Sequence, residues 1–200
     1  MFAVIKSGGI FMIPIVVCAV SATFIIIERL LFFKAMKKSN AALMPEIESK
    51  LAAGNFDGAA AYCKAAGTPL AFVFEKALAC RDMKEDNLKE AAANEIARQI
   101  PILEHLLTPL GTIANISTLL GLLGTVTGNI RAFGVLGAGG TMGNPALLAG
   151  SISEALVTTA AGLLISIPSV IFHNYFVSQA DRFISQIESA SSDLILRLKK

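Results

Sequence analysis

Asn115, Thr118, Thr125 and Asn129 recur at spacings of 3, 7 and 4 in an otherwise apolar stretch, which places four hydrogen-bonding side chains on one side of a helix. Ser117, Gly121, Gly124 and Gly128 line the adjoining face, where small residues let a second helix come close. Further along, Gly150, Glu154, Thr158, Gly162 and Ser166 form a second row, one residue in every four, with Thr159 and Ser169 at its margin. Most of these hydroxyls suit plain helix packing, in which Ser and Thr bond their own i−4 carbonyls. Glu154 is different. A carboxylate costs roughly 2.5–3.5 kcal/mol at the centre of a membrane helix and somewhat less off-centre, so it ordinarily faces a cavity, a partner or an ion route. The chemistry on offer is hydrogen bonding to water, protons or small cations. No Cys/His/Asp/Glu constellation has metal-ligand spacing, no Ser-His-Asp set or carboxylate pair is present, and His105 and His173 stand alone. An enzyme, a cofactor or a metal site is not expected.

The elements that must carry these rows are membrane helices. The chain is 54% hydrophobic and only 16% charged, with a mean hydropathy of +0.64, outside the range of soluble domains. Three runs are free of formal charge: Ser7–Ile27, Leu106–Ile130 and Ala155–Ala180. Each is about the length a bilayer requires. With two Tyr and no Trp, interface positions are set by charge rather than by an aromatic belt. Lys34, Lys37 and Lys38 follow the first run, basic residues from Lys50 to Arg98 precede the second, and Arg182, Arg197, Lys199 and Lys200 follow the third. Only Lys6 and Arg131 fall on the opposite side. The positive-inside rule then places the N-terminus outside and the C-terminus in the cytoplasm. The net charge of +2 carries no signal for nucleic acid.

The expected organisation is an all-α membrane protein with three transmembrane helices and long cytoplasmic helical extensions. Residues 1–36 form an N-out, uncleaved first helix, and 37–105 a cytoplasmic helical segment. Residues 106–134 form the second membrane helix, 135–145 a short glycine-rich periplasmic loop, 146–177 the third helix, and 178–200 an amphipathic cytoplasmic tail. A cleaved signal peptide fits the first run poorly, because the basic cluster follows it and no small-x-small site ends it. Asn55-Phe56-Asp57-Gly58 and Gly67-Thr68-Pro69 are turn signals that divide the cytoplasmic segment into short helices. A helix over Asp86–Glu104 is expected to run into the second membrane helix and reach about 70 Å by Phe133 at 1.5 Å per residue, with Pro101 and Pro109 as points of kinking or interruption. Pro168 interrupts the third helix and frees the carbonyl of Leu164. Glu28 and Arg29 read as headgroup anchors, and the three cysteines as unpaired thiols.

Two motifs carry a family resemblance. Gly121-Leu-Leu-Gly124-Thr125-Val-Thr-Gly128 resembles a signature of the MotA/TolQ/ExbB proton-channel family. Ile152-Ser-Glu154-Ala-Leu-Val-Thr158-Thr159-Ala-Ala-Gly162-Leu, followed by Ile167-Pro168-Ser-Val, resembles a second. Ile13-Pro14-Ile15 and Ile27-Glu28-Arg29 match more loosely. The short N-terminus and single cytoplasmic segment resemble the ExbB/TolQ branch. The resemblance implies a pentamer in the bacterial inner membrane, around a partner resembling ExbD or TolR. That partner has a single transmembrane helix whose aspartate carries the proton. It implies that Thr125 and Thr159 face that aspartate, that Glu154 is a pore glutamate, and that proton motive force is converted into mechanical work for an envelope process. Thr118, Asn115 and Asn129 extend the expected pathway, while Gly121, Gly124, Gly128, Gly162 and Pro168 are expected to serve packing. Thr158 is a departure, since the family commonly has Ala there. Its hydroxyl lies one turn from Glu154, where it could add a water or ion ligand, and leaves both protons and sodium open. Two other readings are a non-conducting scaffold oligomer and a small-solute transporter. The absence of an internal repeat disfavours the transporter.

Overall fold

The computed structural model describes residues 9–138 and 145–199. Six helices account for nearly all of them: α1 (Met12–Ala52), α2 (Phe56–Ala66), α3 (Pro69–Ala79), α4 (Glu85–Leu103), α5 (Leu107–Ala138) and α6 (Pro145–Leu198). No strand occurs among the described residues. Met12–Ala52, Glu85–Gly137 and Pro145–Leu198 are long and apolar enough to cross a membrane, and the chain is an all-α membrane protein. Most of the expected periplasmic loop, including Gly139, Gly140 and Gly143, lies outside the described residues, as does Lys6. Two compact units divide the chain: Met1–Glu28 with Leu106–Tyr175, and Arg29–His105 with Phe176–Lys200. The helices α1 and α6 contribute a segment to each.

In the first unit, α1 buries Met12, Ile15, Ala22 and Ile25 at helical spacing and leaves Ile13, Val17, Val20, Phe24 and Ile27 exposed. That apolar face suits lipid. The α5–α6 pair is packed by small residues. A Cβ on Gly162 would lie 2.5 Å from the Ser117 carbonyl oxygen and 3.1 Å from the Gly121 Cα. One on Gly128 would meet the Ala155 Cβ at 2.5 Å. The two backbones touch along this line because nothing larger than a threonine stands between them. Leu119, Leu122, Val126, Leu156, Leu163, Leu164 and Ile171 point away from it. Pro168 stays inside α6 without ending it.

The second unit has a different interior. Phe33 stacks on Phe176 and on Phe183 with ring centroids 5.8 Å apart in each case. Leu43, Ile47, Leu70, Val73, Phe74, Leu78, Ile187 and Leu194 are buried with them. Capping fixes the short helices. The Asn55 side chain accepts from Gly58 N at 2.8 Å at the start of α2. Gly67 ends that helix in the left-handed region at φ +61°. Thr68 Oγ1 accepts from Ala71 N at 3.2 Å, with Pro69 at the first turn of α3. The turn signals at Asn55–Gly58 and Gly67–Pro69 therefore mark real helix boundaries. All three cysteines are free, and burial pushes the Cys63 thiol up to about 11, with Glu75 adding to the effect. Such a thiol is protonated and inert at neutral pH.

Three expectations need correction. The first helix does not end near Met36 but continues through Pro45 to Ala52. Its later turns bury Met36, Leu43 and Ile47, and that burial outweighs one lost hydrogen bond at the proline. The helix over Asp86–Phe133 is not continuous, because residues 104–106 interrupt it, with Leu106 at φ +64°. Restarting at Leu107 puts Pro109 in the first turn, where its missing N–H is among donors that would be unpaired anyway. Arg29 is not a headgroup anchor. It is 3% exposed, lies 4.4 Å from the Phe32 ring centroid, and donates to the Ile102 carbonyl at 3.5 Å. Its Nη2 sits 3.4 Å from His105 Nδ1. A guanidinium at the carbonyl end of α4 is favoured by the helix dipole.

Candidate functional site

The polar residues of the hairpin fall on two margins of one packed stripe. Ser117, Gly121, Gly124 and Gly128 of α5 are buried against Ala155, Thr158 and Gly162 of α6. Thr118 and Thr125 each follow a buried residue of α5, and Thr159 follows one of α6. One step along a helix is about 100° of rotation, and in antiparallel helices the following residues of both turn to the same side. Arg131 and Glu154 instead precede buried Ala132 and Ala155, which puts them on the opposite side.

Hydrogen bonds bear out this geometry. On the first margin, Thr118 Oγ1 donates to Ser166 Oγ at 2.7 Å, and Thr159 Oγ1 donates across the hairpin to the Gly121 carbonyl at 2.7 Å. Thr125 Oγ1 donates to the Leu122 carbonyl at 2.6 Å. Asn115 and Asn129 are exposed on the same side of α5. The result is a seam of hydroxyls and amides with no charged side chain. Each threonine hydroxyl spends its proton on an oxygen within the hairpin and keeps lone pairs free to accept from a visiting donor.

On the second margin, Arg131 Nη1 lies 2.8 Å from Glu154 Oε1. The Glu154 carboxylate also fills the space beside Gly9, where a Cβ would collide with its Oε1. Gly9 has φ +62°, so only glycine fits there comfortably. The structure thus brings Thr118, Thr125 and Thr159 together and sets Glu154 apart from them. Thr158 belongs to neither margin. It is 1% exposed, fits against Gly124, and donates to the Ala155 and Glu154 carbonyls of its own helix at 2.8 and 3.2 Å.

Two features escaped the sequence. Arg131 counted only as an orientation charge, although it is the charged residue of α5 nearest the short loop, as Glu154 is of α6. Pairing across an antiparallel hairpin would have suggested their contact. His173 stood alone, yet its Nδ1 donates to the Leu107 carbonyl at 2.9 Å and its ring packs on Gly111.

Comparison with known proteins agrees with this architecture. Residues 65–189 match the model of the MotA/TolQ/ExbB proton channel family. An ExbB-like biopolymer transport protein of Synechocystis is 32% identical, over 95% of this chain and 91% of its own length. The biopolymer transport protein ExbB of Neisseria gonorrhoeae is 28% identical, over 95% and 90% of the two chains. With three helices able to span a bilayer, a hairpin joined by small residues and a family match over more than half its length, the chain is a multi-pass inner-membrane protein that belongs to the MotA/TolQ/ExbB proton channel family.

Proposed function

We propose that the α5–α6 hairpin is one stave of a proton pathway, completed by further copies of the chain and by a partner of the ExbD/TolR kind. That partner has a single membrane helix with an intramembrane aspartate. Several copies, five by resemblance to the family, surround the partner, with each N-terminus outside and each C-terminus in the cytoplasm. The complex converts proton motive force into mechanical work for an envelope transport or integrity process. One elementary charge crossing 100 mV releases about 2.3 kcal/mol, enough to bias one set of helices against another.

The observation that carries this reading is the uncharged hydroxyl seam of Thr125, Thr159, Thr118 and Ser166. Helix α5 has no charged residue from Leu107 to Ile130, and α6 has none from Ala155 to Ala180. The hairpin therefore offers acceptors but no carboxylate at mid-membrane, and a titrating carboxyl there has to arrive on another chain. Thr158 is satisfied by its own backbone, which favours protons over a sodium site built on its hydroxyl. The glycines that a scaffold would use for assembly are occupied within the hairpin, which counts against that alternative. In cells, Thr159→Ala should abolish the energised process while the protein accumulates and assembles as before. Normal function of that variant would refute the pathway.

A further inference from the structure

Seven-residue spacing links the hydroxyl seam to a titratable group. On α6, Thr159, Ser166 and His173 stand seven residues apart, close to two turns, and on α5 so do Thr125, Thr118 and Gly111. Residues seven apart on a helix share a side, drifting only about 20° per step. The two series face one another. Thr118 bonds Ser166 at 2.7 Å, and a Cβ on Gly111 would lie 3.0–3.3 Å from three atoms of the His173 ring. Glycine at 111 leaves the room in which the imidazole lies, as the next rung below the Thr118–Ser166 pair.

A carbonyl oxygen can only accept, so the 2.9 Å contact with Leu107 requires the proton of His173 on Nδ1. Nε2 is then the nitrogen with a lone pair. The imidazole is half-buried, and no other titratable side chain lies on the hairpin between Leu107 and Ile130 or between Ala155 and Phe172. Tyr175 follows on α6, and α1 contributes Glu28 to this unit.

We propose that His173 is the proton-transfer group at the inner end of the seam. The inference rests on the pathway and orientation proposed above. A proton released by the partner's carboxyl passes along the hydroxyl seam and adds to Nε2, giving an imidazolium whose Nδ1–H still donates to Leu107. The Nε2 proton then leaves to water on the cytoplasmic side and the neutral ring is restored. Thr159 and Ser166, and Ser166 and His173, are each about 10 Å apart along the helix at 1.5 Å per residue, so the transfer requires a short chain of waters between successive rungs. Imidazole is the side chain suited to taking and giving a proton near neutral pH.

The test uses the full-length chain purified with the membrane partner it carries. The complex is reconstituted in phosphatidylethanolamine–phosphatidylglycerol vesicles with an enclosed pH dye and a potassium diffusion potential. Proton influx is compared for the parent, Thr159→Ala, His173→Gln and His173→Ala. His173→Gln keeps a donor for Leu107 but has no basic nitrogen, and influx should fall at least tenfold with the assembly unchanged. His173→Ala should fall similarly and recover several-fold with added imidazole, but not with pyrazole, which has the same shape and is barely basic. If the glutamine variant conducts within twofold of the parent while Thr159→Ala is silent, the seam stands and His173 is not on it. Rescue by neither compound, or equally by both, assigns the ring to packing and overturns the proposal. Should Thr159→Ala conduct normally, or the parent fail to conduct, the pathway itself falls and this inference with it.

Discussion

Gly162 in one unit and Gly67 in the other are needed for different reasons. Gly162 has an ordinary helical backbone and is needed for space: the Ser117 carbonyl and the Gly121 Cα already occupy the volume a side chain would take. Gly67 has open space around its absent Cβ and is needed for conformation, because its φ of +61° ends α2. The contrast extends to the interiors. The hairpin is held by backbone contact and hydroxyl bonds, whereas the other unit is held by stacked phenylalanines and branched aliphatics. Between lipid-exposed helices there is no hydrophobic gain from burying a large side chain, so close approach and hydrogen bonds decide the packing.

The contrast can be broken by substitution. Gly162→Ala should have the largest effect, since its Cβ would meet backbone atoms that cannot rotate aside. The expected result is loss of monodisperse protein in detergent size-exclusion chromatography, with α5 and α6 no longer protecting each other in hydrogen exchange. Phe176→Ala should lower stability by about 3–5 kcal/mol, as for truncation of a fully buried aromatic. A thermal melt followed at 222 nm checks it, and the hairpin's exchange protection should persist. Gly67→Ala should cost only about 1 kcal/mol, because the strain is backbone alone. A cost at Gly67 as large as that at Gly162 would erase the distinction between space and conformation.

Much of this was readable from residue order. The spacing of Ser117, Gly121, Gly124 and Gly128 marks a packing face, and the turn signals at Asn55–Gly58 and Gly67–Pro69 mark helix ends. What escaped depends on partners remote in sequence. The first helix looks finished at Met36 until the burial of Leu43 and Ile47 in its later turns is known. Arg29 looks like an anchor until its contact with Ile102, 73 residues away, appears. Thr158 looks like a further pathway ligand until the position of α5 shows it sealed against Gly124.

Thr158 and Thr159 supply the most direct measurement. Thr159 sits on the seam with its hydroxyl across the hairpin on Gly121, and Thr158 is sealed between the helices and bonded to its own backbone. Proton influx into vesicles holding the purified complex should be near the parent's for Thr158→Ala and reduced to leak for Thr159→Ala. Equal losses in both variants, or loss in Thr158→Ala alone, would contradict a pathway along the hydroxyl seam.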